Sequence, residues 1–342
     1  MRLSELGEFD LIGRLRSSLI STSSEVLMGI GDDAAAIKVS DNIILITSDM
    51  LLEGVHFDLS FTTFYQLGYK ALAVNLSDIF AMGGRPRYFL IDIGIPEGYT
   101  LKDVDELYAG IKGLAKKFAI DVVGGDTCAS RHGLVLSGTL IGEAKRIITR
   151  SGAKPKDAIF VAGTLGDSAM GLMLLKKLRR HIKVQNSKCK MQNVSFKIHN
   201  SQLLLYDVLP LLKRHLMPEP LALRETYKIT SMIDISDGLL IDLSHICDES
   251  NVGARLYVDK IPLSRALTST AKKLGMNPMD FVLRGGEDYV LLFTAPPDIK
   301  TKAFRIGEII PEGRFLVDVS GRETHFKPEG YEHFKWQNNY AA

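Results

Sequence analysis

Aspartates recur in this sequence beside glycine, serine or threonine, at the ends of segments that resemble β-strands. Asp33 follows the glycines of GIGDDAAAIKV, Asp49 ends the apolar run NIILITSD, and Asp126 follows VVGG. Asp237 belongs to the turn ISDGL, and Asp78 lies in a segment with helical spacing of small and apolar residues. Functional groups gather at strand ends in α/β folds, so these carboxylates are candidates for one shared site.

Carboxylates that converge on one site repel one another, and burial makes each negative charge costly. Hard divalent cations with oxygen ligands offset that repulsion. Mg²⁺ held by a few carboxylates, with phosphate oxygens as further ligands, is common in phosphoryl-transfer enzymes. We therefore predict a site for Mg²⁺ and a polyphosphate. Gly-Asp-Asp is also typical of a turn whose side chains bond their own backbone, so the motif alone leaves both interpretations open.

The other sequence motifs that could indicate a phosphate-binding site are incomplete. The sequence has no G-x-x-x-x-G-K-[ST] loop and no H-R-D and D-F-G pair, which argues against a P-loop enzyme and a protein kinase. VVGGDT, LGDSAMG and ISDGL are short glycine-bearing turns whose backbone amides could approach a phosphate. Arg150 in TRSGAK is a candidate phosphate clamp or a solvated loop arginine. No G-x-S-x-G elbow is present, so direct in-line transfer is favoured over covalent catalysis.

Two other motifs hold polar side chains that allow two interpretations. His56 in LEGVHF could meet an anionic ligand, or it could be a histidine satisfied within the core. Glu287 and Asp288 in GGEDYVLLF could serve a ligand or cap a hairpin.

Length and composition predict a globular protein of two domains. The chain has 342 residues, of which 46% are hydrophobic and 24% charged. Its net charge of +2 does not favour nucleic acid or a membrane surface as a partner. Cys128, Cys189 and Cys247 lie far apart without C-x-x-C spacing, which fits a reducing compartment and offers no zinc site. The N-terminal stretch mixes acids with apolar residues and no run is long enough to span a membrane, so we expect a cytoplasmic protein.

Strand and helix patterns alternate in the first half of the chain and predict a mixed α/β unit. DNIILITSDM predicts a strand, and residues 64–82 predict a helix that carries Asp78 on the same face as Ala71, Asn75 and Met82. The strand RYFLIDIGIP, a helix over residues 101–118 and the strands AIDVVGGDT and GLVLSGTLIGEA follow. The polar, turn-rich stretch RIITRSGAKPKDA indicates a boundary between domains 1–147 and 148–342.

The second half opens with the strand AIFVAGT and a helix for which Asp167 or Ser168 is the expected N-cap. A helix over residues 201–215 and the strand SMIDIS follow. Residues 181–200 contain lysines and histidines but no acid. They predict a surface loop or a ragged helix end, with a basic partner-binding arm as the alternative.

Taken together and in order, eight motifs resemble the thiamine-monophosphate kinase family along nearly the whole chain. They are GEFDLI, GIGDDAAAI, TSDMLLEGVHF, GYKALAVNLSDIFAMGGRP, VVGGDT, TRSGAKPKDAIFVAGTLGDSAMGL, IDISDGLLIDLSHI and LRGGEDYVLLFT. The resemblance implies the two-domain PurM-like α/β (α+β) fold of the aminoimidazole ribonucleotide synthetase superfamily. In that fold a mixed-sheet N-terminal domain pairs with its twin in a dimer barrel, and an α+β domain follows.

The same resemblance implies ATP-dependent phosphorylation of thiamine monophosphate to thiamine diphosphate, with several Mg²⁺ ions and an ATP site between the domains. It implies a homodimer, with no nucleic-acid or membrane partner. The implied metal ligands are Asp33, Thr47, Ser48, Asp49, Asp78, Asp126, Asp234 and Asp237. The implied ATP contacts are Tyr108, Gly125, Asp126, Arg150 and Ser236, and the implied substrate contacts are His56, Glu287 and Tyr331. Asp78, Asp126 and Arg150 are the implied catalytic residues.

The chain departs from the family pattern at one ligand position. Family members usually carry Thr-Asp or Ser-Thr-Asp where this chain has Thr47, Ser48 and Asp49. Because the hydroxyls persist, the ligand assignment is retained.

Four alternatives compete with this function. Selenophosphate synthetases have the same ATP chemistry but use a reactive Cys or selenocysteine near the N-terminus, whereas the first cysteine here is Cys128. Hydrogenase-maturation relatives end on a functional Cys, and the tail KWQNNYAA has none. A non-catalytic nucleotide-binding relative is disfavoured by the full aspartate set, and a nucleic-acid binder by the near-neutral charge.

Overall fold

The computed structural model describes residues 3–19, 23–178, 195–198, 201–223 and 226–334. The elements of the first half are α1 (Leu3–Leu6), α2 (Glu8–Ser18), β1 (Val26–Met28), β2 (Ala35–Val39), β3 (Asn42–Leu52), α3 (Phe64–Ala81), β4 (Arg85–Pro96), α4 (Leu101–Phe118), β5 (Asp121–Gly124), β6 (Thr127–Ser130) and β7 (Val135–Ala144). Those of the second half are β8 (Ala158–Val161), α5 (Asp167–Leu178), β9 (Ser195–Ile198), β10 (Ser201–Leu204), α6 (Leu205–Leu216), β11 (Ser231–Asp234), α7 (Leu239–Ser250), β12 (Gly253–Tyr257), the 3₁₀ turn Val258–Lys260, α8 (Arg265–Leu274), α9 (Pro278–Arg284), β13 (Leu291–Ala295), β14 (Phe304–Ile310), β15 (Arg314–Val317) and β16 (Glu323–His325).

The first sheet is mixed and seven-stranded. Its order is β1-β2-β3-β7-β4-β5, with β6 also paired to β4, and only the pairings of β4 with β5 and with β6 are parallel. Residues of β7 alternate between buried and half-buried, because α3 packs on one face of the sheet. This sheet and its helices confirm the predicted mixed α/β unit.

The helices α3 and α4 pack closely because glycines stand where they cross. A Cβ on Gly68 would lie 1.9 Å from the Leu107 carbonyl oxygen, and one on Gly110 would lie 1.9 Å from that of Tyr65. Both helices begin with a capping box, and both lie within a residue of their predicted bounds. Ala71, Asn75 and Met82 are all buried, so the face that carries Asp78 points inward.

The second sheet has the order β11-β13-β8-β14-β12-β15-β16 and is antiparallel except between β12 and β15. The inner strands β8 and β13 are buried at every residue. The two halves of the molecule meet where α3 packs against β11, so the end of α3 is held beside the edge of the second sheet. The N-terminal helix α2 also contacts the second half, through Arg16 and Glu249, whose Nη1 and Oε1 are 2.5 Å apart.

One predicted helix is wrong at its start. Ser201–Leu204 form strand β10, which pairs with β9, and the helix begins only at Leu205. The pairing strand is not visible in local periodicity, because β-structure depends on what lies beside the segment. In the basic segment, Ser195–Ile198 form β9, and residues 181–194 and 199–200 lie outside the described residues.

Candidate active site

Three carboxylates from separate elements meet at the junction of the two halves. Asp33 precedes β2, Asp78 lies near the end of α3, and Asp234 is the last residue of β11. One oxygen of each lies within 4.8 Å of the other two. Residues predicted as metal ligands from distant parts of the sequence therefore share one place in the fold.

Strand β3 adds two side chains to this cluster and turns one away. Thr47 Oγ1 donates to Asp78 Oδ2 at 2.5 Å, and the carboxyl groups of Asp49 and Asp78 are hydrogen bonded. Ser48, between them, faces the opposite side of the sheet, where its Oγ lies 3.1 Å from Thr139 Oγ1. The hydroxyl of Ser48 is thus not brought to the cluster, and its role as a ligand stays a prediction.

The two adjacent aspartates of GIGDD have different partners. Asp33 Oδ1 accepts from Arg150 Nη2 at 2.6 Å, and its side chain is 2% exposed. Asp32 accepts instead from the backbone N–H groups of Arg150 and Asp33, both at 3.0 Å. Asp32 therefore holds two loops together, while Asp33 faces the other carboxylates with Arg150 as its counterion.

The turn that carries Asp237 is held by an aspartate that the sequence analysis missed. Asp242, buried in the first turn of α7, accepts from the backbone N–H groups of Asp237 and Gly238 at 3.2 and 2.9 Å. Gly238 has φ of 136°, a conformation that a glycine adopts without strain. An acid in the first helical turn after SDG was the available signal for this contact. Ser236 lies in the same turn and accepts from the Glu287 N–H at 2.7 Å through its carbonyl oxygen.

Asp126 and Gly125 lie away from the cluster. Asp49 pairs with Gly138 of β7, which pairs with Ile91 of β4, and a Cβ on Gly125 would lie 1.9 Å from the Ile91 carbonyl oxygen. Three strand spacings thus separate Asp49 from Gly125, or about 14 Å. Asp126 is exposed, and its N–H donates to Asp92 Oδ1 at 2.7 Å.

Tyr108 packs half-buried on α4 against the core of the first half. Its role, like those of Gly125 and Asp126, stays a prediction.

The histidine and tyrosine predicted to bind substrate meet through a second histidine, His333. His56 Nδ1 accepts from the Leu52 N–H at 3.0 Å, so its other nitrogen carries the proton and donates to His333 Nε2 at 3.3 Å. His333 Nδ1 can then donate to the Tyr331 hydroxyl oxygen at 3.2 Å. Burial, and then the neighbouring His333, lower the pKa of His56 to about 4, which keeps this ring neutral.

Glu287 lies beside this group, and its neighbour Asp288 has a separate task. Glu287 Oε1 accepts from Lys70 Nζ at 2.6 Å, and Lys70 Nζ also lies 3.5 Å from the His56 carbonyl oxygen. Asp288 accepts from the N–H groups of Gly166 and Ser168, at 2.5 and 3.0 Å, at the start of α5.

These contacts of Asp288 correct three expectations. The amides at the start of α5 are capped by Asp288, so the prediction that Asp167 or Ser168 is the N-cap is wrong. Asp167 instead accepts from the hydroxyls of Thr164 and Ser264. Because a carboxylate already occupies the amides of LGDSAMG, this turn is not open to a phosphate. Asp288 also caps a helix and not a hairpin.

Comparison with known proteins identifies the family of the chain. The family described as AIR synthase related protein matches over residues 31–144 with its N-terminal domain and over residues 154–319 with its C-terminal domain. A thiamine-monophosphate kinase of Aquifex aeolicus is 36% identical over 340 residues, which cover 98% of this chain and 100% of the relative. The chain belongs to the thiamine-monophosphate kinase family. The kinase of Bacillus subtilis is 33% identical over 350 residues, covering 96% of this chain and 100% of that kinase.

A solved structure of the thiamine-monophosphate kinase family also superimposes on nearly the whole chain. It is described as AaThiL complexed with AMPPCP and TMP, and it matches with a TM-score of 0.81 and 35% identity, covering 97% of this chain and 99% of that one. This match confirms the predicted two-domain PurM-like fold. Within the described residues, no helix has the length and apolarity to cross a membrane.

Burial and mutual repulsion hold protons on the cluster. Burial, and then the charge of Asp49, raise the pKa of Asp78 well above its usual range. Burial raises the pKa of Asp234 to about 8, and the charge of Asp33 adds to this while the hydrogen bond from Ser77 opposes it. Burial also raises the pKa of Asp49 to about 6.

The cluster has the donor chemistry of a magnesium site. Within the described part of the chain, Oδ2 of Asp33 and Oδ2 of Asp49 are buried without a hydrogen-bond partner. Its groups are carboxylate and hydroxyl oxygens, the ligand type that Mg²⁺ prefers. A cation would satisfy these oxygens and remove the repulsion between them, so the residues present fit Mg²⁺.

The raised pKa of Asp234 predicts a pH-dependent stability. The folded chain holds this proton more tightly than the unfolded chain. The contribution of the proton to the free energy of unfolding is therefore fully present below about pH 4 and is lost as the pH rises through about 8. In EDTA, the melting temperature should therefore fall between pH 5 and 8.5, and less steeply in Asp234→Asn. Thermal unfolding across this range measures both slopes.

The matched control is Asp298→Asn, at an exposed loop aspartate. It should keep the wild-type slope. An Asp234→Asn slope equal to that of the wild type would contradict the assignment of a buried, protonated cluster.

Proposed function

We propose that this protein transfers the γ-phosphoryl group of ATP to thiamine monophosphate, giving thiamine diphosphate and ADP. The observation that carries the proposal is the carboxylate cluster of Asp33, Asp78 and Asp234 between the two halves of the chain. Its full-length similarity to thiamine-monophosphate kinases supplies the substrates. AMPPCP, a non-hydrolysable analogue of ATP, and TMP are both bound in the similar solved structure, which supports the same pair here.

Mg²⁺ is proposed as the cofactor. Asp33, Asp49, Asp78 and Asp234 would hold it, with Thr47 beside them. Ser48, Asp126 and Asp237 remain predicted ligands. When bound, Mg²⁺ supplies positive charge that offsets the repulsion between the phosphates of the two substrates.

The residues of the chain bind and orient the reactants. A phosphate oxygen of thiamine monophosphate is already ionised at neutral pH, so the transfer needs no strong general base and depends on position and charge. Arg150 contacts Asp33 through Nη2, and its Nε is buried without a partner in the described residues. An unpaired guanidinium donor beside the cluster supports the predicted role of Arg150.

The acceptor side is proposed to lie at His56, Glu287 and Tyr331. His56 and Tyr331 are joined by His333, and Glu287 shares Lys70 with the His56 carbonyl group. Aromatic rings beside a carboxylate suit the cationic thiazolium ring of thiamine monophosphate. Tyr108, Gly125 and Ser236 remain predicted contacts of ATP.

We place the protein in the cytoplasm. Among the described residues, Cys128 and Cys247 are free thiols, which suits a reducing compartment.

We further propose a homodimer formed through the first sheet. The face of this sheet opposite α3 exposes apolar side chains: Leu27 is 43% exposed, Met50 54% and Tyr88 41%. Apolar residues gathered on one face are typical of an interface, and a second copy of the sheet would cover them.

Sedimentation velocity should then give twice the 37.8 kDa of one chain, and Met50→Lys should shift the equilibrium toward the monomer. A wild-type monomer at micromolar concentration would contradict the pairing.

Two substitutions test the catalytic site through ADP release, measured with and without thiamine monophosphate. Asp78→Asn should lower the ADP release that depends on thiamine monophosphate by more than about 100-fold, because it removes a proposed cation ligand. Its melting temperature should not fall, since the substitution removes a buried acid whose ionised form is disfavoured by burial and by the neighbouring carboxylates.

Asp33→Ala should reduce activity more than the matched variant Asp32→Ala, because Asp32 bonds to backbone amides, whereas Asp33 lies in the carboxylate cluster. Equal losses would contradict that division. A wild-type rate in Asp78→Asn would overturn the assigned site. If the wild-type protein releases ADP at the same rate with and without thiamine monophosphate, the proposed function is overturned.

A further inference from the structure

The carboxylate of Glu287 is contacted by one basic side chain from each half of the molecule. Lys70 on α3 is 3% exposed, and its Nζ lies 2.6 Å from Glu287 Oε1. His215 on α6 is 4% exposed, and its Nδ1 lies 3.1 Å from Glu287 Oε2. The Glu287 side chain is itself 26% exposed, so it keeps one side open while both oxygens are held.

The backbone that presents Glu287 is strained. Glu287 has φ of 62° and Tyr289 has φ of 50°, both in the left-handed region that non-glycine residues seldom adopt. Between them, Asp288 is anchored to the start of α5. Gly286 is required, since a Cβ there would lie 2.3 Å from the Ser236 carbonyl oxygen. Such strain persists only where surrounding contacts enforce it, and it is concentrated at functional sites.

The protons of this group can be assigned. A carboxylate has no proton to donate, so His215 Nδ1 carries the hydrogen and donates to Glu287, with Ser168 Oγ 3.2 Å from the same nitrogen. Burial lowers the pKa of His215, and the ammonium of Lys70 first among its partners lowers the pKa of Glu287. The group therefore consists of one cation, one anion and one neutral donor.

Stability does not account for this arrangement. Burying Lys70 and the held side of Glu287 costs desolvation energy, and apolar side chains of similar volume often serve a fold equally well. What the contacts do provide is direction, because two donors at both oxygens leave the carboxylate one orientation. Lys70 Nζ also lies 3.5 Å from the His56 carbonyl oxygen, so the same cation reaches two residues of the proposed acceptor side.

We propose that Lys70 and His215 are positioning residues that orient Glu287 toward the cationic heteroaromatic part of the phosphate acceptor. The inference rests on the proposed function, since it takes thiamine monophosphate as the acceptor. It assigns specificity for this substrate to the Lys70–Glu287 contact, which joins the two halves of the chain. Binding of ATP, whose phosphates are proposed to meet the carboxylate cluster, does not depend on this contact.

Lys70→Met tests the proposal in steady-state assays. KM for thiamine monophosphate should rise about tenfold or more, because a charge-assisted hydrogen bond that orients Glu287 is lost. KM for ATP should stay within about twofold of the wild-type value. A rise in both KM values, or in neither, would overturn the proposal.

His215 offers a second pair of variants, which carries the test if Lys70→Met does not fold. His215→Leu removes the donor and should raise KM for thiamine monophosphate, whereas the amide of His215→Asn can replace Nδ1–H and should restore it. An equal KM in the two variants would contradict the proposed donation to Glu287.

A double-mutant cycle separates positioning from a merely structural role. If Lys70 acts through Glu287, Lys70→Met should add little to KM in a Glu287→Gln background. An undiminished effect in that background would show that Lys70 acts independently of Glu287, against the proposal.

Lys117→Met is the matched control. Lys117 also pairs across the two halves, with Glu219 at 3.3 Å, but both side chains are more than 40% exposed. Exposed pairs contribute little, so both KM values should match the wild type. A wild-type protein without activity on thiamine monophosphate would refute the proposed function, whereas an active wild type with an unchanged Lys70→Met would refute only this inference.

Discussion

Three carboxylates, Asp33, Asp78 and Asp234, lie within 4.8 Å of one another, and the arrangement of the site depends on their repulsion being offset. Arg150 pairs with Asp33, while hydroxyl groups of Thr47 and Ser77 donate to the other two. These partners do not supply enough positive charge, since burial still raises the pKa of Asp234 to about 8. An added cation would offset the remaining repulsion, which supports the proposed Mg²⁺ site.

The junction between the two halves also carries the proposed binding site of the phosphate acceptor. Asp78 and Lys70 both belong to α3, about two turns apart. Asp78 lies within 4.8 Å of Asp234 in the second half, and Lys70 donates to Glu287 in the same half. Helix α3 thus couples the proposed cation site to the proposed acceptor side. Because α3 is buried between its own sheet and β11, it holds these contacts in fixed relation.

Strong periodicities made much of the fold predictable. The bounds of α3 and α4 and the inward face of Asp78 followed from helical spacing. Residues that act through distant partners gave no local signal. Lys70 and His215 lie more than 70 residues from Glu287, and strand β10 depends on a neighbouring strand. Strand alternation could have shown that Ser48 faces away from Thr47 and Asp49.

The most direct test of the account is phosphorus NMR of the wild-type protein with ATP, Mg²⁺ and thiamine monophosphate, followed over time with and without excess EDTA. The account predicts that the thiamine monophosphate signal is replaced by the two signals of thiamine diphosphate, in one-to-one ratio with ADP, and that EDTA stops the conversion. Conversion of ATP to inorganic phosphate with thiamine monophosphate unchanged, or thiamine diphosphate formation that continues in EDTA, would contradict it.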